Sequence, residues 1–310
     1  MGYFAVCNRG AATTFTVEAC HLSFWVLLQP WTHAFRKIFL FDVGLRIRPK
    51  GEVRRFRVAL PFDTETGDLI DLSDVVLDPK LGALIFGRPT KISGDQIEYI
   101  SPTGTNTVKD RVIGVSTDAS CAEAETAKDV DFSTWTVELK APAKADETFY
   151  VRFRFQVRRP RRIWSSKGWG FAKRGAIVDF RIADIRESIL LGNGKLEADN
   201  LAPIEKLFLF LVAPAHYVPK HVSPALHYSR LLEPKVWKKY LALCDSFDDG
   251  AKFSIHQWRN SNNTVSPETP FRAYLDLSRE FGLEVFAYYF FGAVGIAVVN
   301  IFVNWLRTYL

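Results

Sequence analysis

Between Phe149 and Val157 the chain reads "FYVRFRFQV". Phe149, Val151, Phe153, Phe155 and Val157 alternate with Tyr150, Arg152, Arg154 and Gln156. Side chains of a strand point to opposite faces in turn, so this order sorts rings from guanidiniums. A helix cannot separate them in this way. The apolar face belongs to a core and the other is expected to be wet.

The same period recurs. In "KIFLFDVGLRIRP" the residues Phe39, Phe41, Val43, Leu45 and Ile47 share a face, with Arg46 and Arg48 opposite. "VRRFRVALPF" repeats it with Phe56, Val58 and Leu60 after a polar Pro49–Glu52 turn. Two such runs around a short turn predict a hairpin. Further strands are expected at Gln96–Ile100, Arg111–Val115, Thr134–Leu139 and in "AIVDFRIADI". "KLFLFLVAP" is apolar on both faces and reads as a central strand.

Helical patterns come late. Val236, Trp237, Tyr240, Leu241 and Cys244 form one stripe after Pro234. Phe271, Tyr274, Leu275, Ser278 and Phe281 form another after Thr269-Pro270. Residues 1–35 show no clean period. Trp25, Trp31 and Phe35, just ahead of Arg36-Lys37, fit either a buried lead-in or an interfacial segment. Leu22–Leu28 is too short to span a bilayer and lacks a basic region before it, so it does not read as a signal peptide.

From Val285 to Leu306 no residue is charged, in a chain that is 24% charged. A helix of 22 residues is about 33 Å long, against a hydrocarbon thickness of about 30 Å. Tyr288, Tyr289 and Trp305 stand towards its ends, where amphipathic rings favour the interface. A terminal helix buried in a large core would look similar. The membrane reading places Val285, Phe286, Phe290, Phe291, Ile296, Val299, Ile301, Phe302, Trp305 and Leu306 in lipid. Asn300 and Asn304 share a face and suit a second copy of the helix.

Basic residues gather in and after the alternating strand. Arg152, Arg154, Arg158, Arg159, Arg161, Arg162 and Lys167 come with Trp164 and Trp169 and without a carboxylate between them. Guanidiniums beside rings suit lipid headgroups, nucleotides or nucleic acid. A charged solvent face, balanced by the acidic "DLIDLSDVVLD", explains the same residues without a ligand. The net charge of +6 favours acidic partners in a general way.

Catalytic patterns are scarce. HExxH, GxGxxG, GxSxG and P-loop sequences are absent, so neither a metal nor a cofactor is expected. Cys7, Cys20, Cys121 and Cys244 are widely spaced and read as reduced thiols. His216, His221, His227 and His256 cluster loosely in the C-terminal third without metal-ligand spacing and read as satisfied or exposed histidines, and Asp179-x-Arg181 reads as an ion-pair ladder.

The expected fold is α+β: a predominantly antiparallel, sandwich-like β domain followed by a hydrophobic, transmembrane C-terminal helix. Its divisions are an irregular lead-in (1–35), a β-rich cytosolic domain (36–265), an amphipathic connecting helix (266–283) and a membrane anchor (284–310). The leading expectation is a membrane-anchored, cytosol-facing binding or sensing protein without catalysis. Its partners are membrane lipid, an acidic ligand or nucleic acid, and a second copy of itself. The alternatives are a membrane-associated hydrolase using His216, His227 and Asp179, and an effector whose tail helix self-associates.

Overall fold

The computed structural model describes residues 2–7, 14–28, 37–62, 64–65, 67–86, 89–100, 108–117, 124–126, 133–157, 160, 163–167, 175–184, 201–233, 237, 240–241, 252–260, 263–279 and 283–309. The first strands are β1 (Gly2–Cys7), β2 (Phe15–Leu28), β3 (Lys37–Pro49), β4 (Val53–Leu60) and β5 (Leu69–Asp71). Two short helices, α1 (Ser73–Val76) and α2 (Pro79–Phe86), precede β6 (Thr90–Ser93), β7 (Gln96–Tyr99), β8 (Val108–Val112) and β9 (Ala124–Thr126). Then come β10 (Ser133–Ala143), β11 (Phe149–Val157), β12 (Trp164–Lys167), β13 (Gly175–Ile182) and β14 (Leu207–Pro214). The chain continues through β15 (Tyr217–Ser223), β16 (Tyr228–Leu232), β17 (Phe253–Arg259) and β18 (Phe271–Arg279) into helix α3 (Leu283–Tyr309).

The strands form two sheets in a sandwich-like, mostly β fold. One has eight strands in the order β15-β18-β13-β1-β4-β10-β9, with β12 beside β13. The other has ten, in the order β16-β17-β14-β2-β3-β11-β8-β7-β6, with β5 beside β11. Pairing is antiparallel except at β1–β13, β2–β14 and β8–β11.

The core lies between the sheets. Phe149, Val151, Phe153 and Phe155 of β11 point into it beside Phe41, Val43, Leu45 and Ile47 of β3. Phe56, Val58 and Trp135 of the eight-stranded sheet close it from the other side. Burial of apolar area at about 25 cal/mol per Å² makes this layer the main source of stability. Strand β14 lies between β17 and β2, where its two-sided apolar pattern places it. Cys7 and Cys20 are buried free thiols. Burial pushes Cys7 up to about 12, with Arg57 pulling weakly the other way, so it is inert as a nucleophile.

Several expectations change. Residues 1–35 are not an irregular lead-in, because β1 and β2 occupy interior places in the two sheets. Trp25 is buried there, not interfacial. Trp31 and Phe35 lie outside the described residues. β3 and β4 do not form a hairpin: β3 pairs with β2 and β11, whereas β4 pairs with β1 and β10. The Pro49–Glu52 turn therefore crosses from one sheet to the other. The connecting helix over 266–283 is replaced by strand β18, whose Ala273, Leu275 and Leu277 are buried at period two. Of the stripe from Val236 to Cys244, Trp237, Tyr240 and Leu241 are described, and all three are helical.

Helix α3 follows with 27 residues. Its described side chains, from Phe290 to Asn304, are all exposed, Phe291 at 70% and Ile296 at 67%. Among the described residues no helix is long and apolar enough to cross a membrane. Those fifteen residues cover about 22 Å at 1.5 Å each.

Candidate ligand cleft on the ten-stranded sheet

The face of β11 expected to be wet is covered. α1, α2 and the helical residues Trp237, Tyr240 and Leu241 lie over the outer side of the ten-stranded sheet. Arg152 is 4% exposed and Arg154 is 0% exposed. The basic strand face is thus interior, a correction with a clear cause. The covering residues come from distant parts of the chain and cannot be read from the strand itself.

The buried arginines close on Asp42. Arg154 holds it with two bonds, Nε to Oδ1 at 2.6 Å and Nη2 to Oδ2 at 3.1 Å. The Trp25 indole N–H donates to Oδ2 at 2.8 Å, and the Tyr240 hydroxyl donates to it at 2.5 Å. Arg152 donates from Nε to Tyr240 Oη at 2.9 Å and from Nη1 to Tyr150 Oη at 3.1 Å. Its Nη2 lies 3.9 Å from Asp42. Burial alone would push the Asp42 carboxyl up. The charge and hydrogen bonds of Arg154, with Arg152 and Tyr240 behind them, instead hold it below 3.8. The same burial pushes the Tyr240 hydroxyl up, which keeps it protonated as a donor. Among the described residues, two guanidiniums face this one carboxylate and form a basic floor.

Register arranges what stands beside this floor. Arg259 pairs with Phe208, Phe208 with His21, His21 with Gly44, and Gly44 with Arg152. One row of outward-facing positions therefore crosses five strands. Phe208 and His21 stack at 4.9 Å and 16°, and the Arg259 guanidinium sits 5.3 Å from the Phe208 ring centre. A Cβ at position 44 would collide with Tyr150 Oη, so glycine leaves room for Tyr150 and Arg152. Phe86 of α2 roofs the row, edge-on to His21 at 6.0 Å and to Tyr150 at 4.9 Å.

Two cavities open along this row and share His21, Phe86 and Phe208. One has about 490 Å³ and is bordered by Glu18, Arg46, Arg48, Glu205, Lys206 and Arg259. The other has about 210 Å³ and is bordered by Trp25, Arg152, Phe210, Arg230, Trp237 and Gln257. Together they form a cleft in the size range of small-molecule sites. Arg46 is fixed by Glu18 at 2.5 Å and Asp110 at 2.7 Å, and Arg48 also pairs with Glu18. Burial would lower the Arg46 pKa, but Asp110 and Glu18 raise it, so it stays charged.

The remaining expected residues scatter. Lys167 is half-exposed and pairs with Asp276 at 2.5 Å on the eight-stranded sheet. Arg158, Arg159, Arg161 and Arg162 lie outside the described residues. Asp179 and Arg181 pair at 3.5 Å, as the strand ladder suggested. His216 sits in the turn between β14 and β15, tilted on Tyr217, while His227 is exposed before β16. Asp179 belongs to the eight-stranded sheet, and the backbone N–H of His227 donates to Gln257 in the ten-stranded one. The hydrolase trio thus rests on different sheets. Among the described residues, no three His, Cys, Asp or Glu side chains are placed to hold a metal. Phe290, Phe291, Ile296, Val299, Ile301 and Phe302 are exposed on α3, whereas Val285, Phe286, Trp305 and Leu306 are helical positions with undescribed side chains.

Asp42 and Gln257 were not singled out from sequence, and Trp25 and Tyr240 were read as part of a lead-in and of a helical stripe, not as site residues. Asp42 carried one signal: it is the sole acidic residue in "KIFLFDVGLRIRP" and shares its face with Gly44 and Arg46.

No protein-family model matches the chain, and the search against curated proteins found no match. Among solved structures, the chain is similar over 88% of its length to the M1 zinc metallopeptidase from Deinococcus radiodurans, at 12% identity and a TM-score of 0.34. A mutant of that enzyme gives 13% and 0.35, again over 88% of this chain. A two-domain M1 zinc metallopeptidase mutant bound to L-tryptophan gives 11% and 0.35, over the same share. The chain spans less than half the length of each: 43%, 43% and 44%. Likeness at that level carries no argument about function.

Proposed function

We propose that the chain is a membrane-anchored, cytosol-facing binding or sensing protein that takes an acidic partner and works without catalysis. The observation that carries the anchor is the exposure of α3. Apolar residues from Phe290 to Val303 are 41–70% exposed. Contiguous apolar surface of this kind marks a contact with lipid or another chain. It lies within the uncharged stretch from Val285 to Leu306. Asn300 and Asn304, four apart, give the helix one polar stripe for a second copy in the bilayer. The cation-rich cleft over the ten-stranded sheet supports the acidic partner, and it replaces the exposed strand face first expected to carry that role.

Vesicle flotation tests the anchor. The full chain is expected to rise with neutral phosphatidylcholine vesicles and to need detergent for extraction. The double variant Val294→Lys/Ile301→Lys is expected to remain in the dense fraction, since each charge near a helix centre costs about 2.5–3.5 kcal/mol in lipid. A full chain that stays monomeric in plain buffer and ignores vesicles overturns the reading.

A further inference from the structure

The cleft has two chemically different ends. Along β2 the distance from Ala19 to Trp25 is six residues, about 20 Å at 3.3 Å each. The Ala19 end is cationic, with Arg46, Arg48, Lys206 and Arg259 against Glu18 and Glu205. The Trp25 end is aromatic, with Phe210 and Trp237 around Arg152, Arg230 and Gln257. Over both ends six cations face two lining carboxylates. Among the described residues, neither Lys206 nor Arg230 nor Arg259 pairs with a carboxylate. The charge surplus is thus free to meet a ligand.

We propose that this cleft binds a nucleotide, with its phosphates at the Arg46–Arg48–Lys206–Arg259 end and its base among Trp25, Phe210, Trp237 and Gln257. The proposal rests on the acidic-partner reading and names the ligand class for it. Phosphate oxygens suit guanidinium forks and the Lys206 ammonium. A flat base suits the ring-lined end, where stacking tolerates any base. Gln257 gives an independent pointer. It is 5% exposed and lines the aromatic end, and among the described residues its Oε1 has no hydrogen-bond partner. A buried amide oxygen without a donor is costly, and the exocyclic amine of a base would satisfy it. The fixed geometry helps. The Phe208–His21 stack holds the middle of the cleft flat, and Gly44 keeps the Arg152 guanidinium low on the floor. A simple fatty acid would fill the aromatic end but needs only one cation.

Calorimetric titration of the detergent-solubilised full chain with ATP, GTP, tripolyphosphate and octanoate separates these ligands. A nucleoside triphosphate is expected to bind about tenfold or more tighter than tripolyphosphate, the share given by base stacking. Lys206→Glu/Arg259→Glu is expected to weaken both phosphate ligands at least about tenfold. Gln257→Leu is expected to weaken ATP or GTP and leave tripolyphosphate unchanged. Quenching of tryptophan fluorescence by nucleotide in the unsubstituted chain, with Trp25 and Trp237 at the base end, reads the same contact without a variant. If tripolyphosphate binds as tightly as either nucleotide and no quenching occurs, the base assignment falls and the acidic-partner reading stands. If neither nucleotide nor tripolyphosphate binds but octanoate does, the nucleotide proposal falls and the cleft is a site for fatty anions; if none of the four binds, the acidic-partner reading falls with it.

Discussion

Replacing Asp42 by alanine is expected to cost about 3–5 kcal/mol, a large part of the stability of an ordinary domain. The carboxylate is 0% exposed and is the acceptor for Arg154, Trp25 and Tyr240. Without it Arg154 and Arg152 lose the carboxylate that faces them both, and breaking a buried pair by removing one partner is strongly destabilising. Urea unfolding at neutral pH reads the loss as a lower midpoint with an unchanged slope. Asp42→Asn keeps the shape and one acceptor oxygen, so the difference between the two variants isolates the charge. A shift under about 0.5 kcal/mol for Asp42→Ala would place the arginines in water after all.

The same group fixes the pH response. Asp42 has a depressed folded-state pKa, so its stabilisation is fully present above its ordinary 3.8 and is lost as pH falls through the lower folded value. His256 acts earlier. Burial lowers it from 6.5 to about 4, where Ser229 Oγ and Ser254 Oγ meet its two ring nitrogens at 2.9 and 3.1 Å. The unfolded chain binds a proton in the window from 6.5 down to about 4 and the folded chain does not. Stability therefore declines across that window at up to about 1.4 kcal/mol per pH unit from this group, before Asp42 adds to the loss.

Trp135→Ala is expected to cost about 3–5 kcal/mol and to shift one cooperative transition. Trp135 stands on β10 of the eight-stranded sheet, fully buried, with its ring 5.2 Å from Phe155 of the ten-stranded sheet. Its indole N–H donates to Thr64. The truncation opens a cavity at the contact between the sheets, so fluorescence and far-ultraviolet dichroism should report the same lower midpoint. Two separated transitions in the unsubstituted chain would show that the sheets unfold independently, and the large coupled loss would not occur.

The alternation of β11 made its core face legible, because period two is a local signal and each of Phe149, Val151, Phe153 and Phe155 obeys it. Its other face was misread because the cover is not local. Tyr240 reaches Arg152 across 88 positions. β2 was missed for a different reason. Phe15 and Val17 point inward, then the phase slips, and Cys20, Leu22, Phe24 and Val26 carry on. The pairing with β3 shows the same slip between Val17 and Ala19, a bulge that hides the period. β18 satisfied both periods at once: Phe271, Tyr274, Leu275 and Ser278 fit a helical stripe, while Ala273, Leu275 and Leu277 are the residues buried. The Pro49–Glu52 turn looks alike whether it returns in one sheet or crosses to the other, and only the partner strands decide. The cleft itself is a product of register over five strands, and no single segment encodes it.

Arginine modification by phenylglyoxal, mapped by mass spectrometry on the folded chain, addresses the covered cleft floor most directly. Arg48 and Arg54, with side chains 57% and 71% exposed, are expected to react quickly. Arg152 and Arg154, at 4% and 0%, are expected to stay unmodified until the chain is unfolded in urea. Arg152 and Arg154 reacting as fast as Arg54 in the native state would mean that the Asp42 lock and its helical cover do not exist.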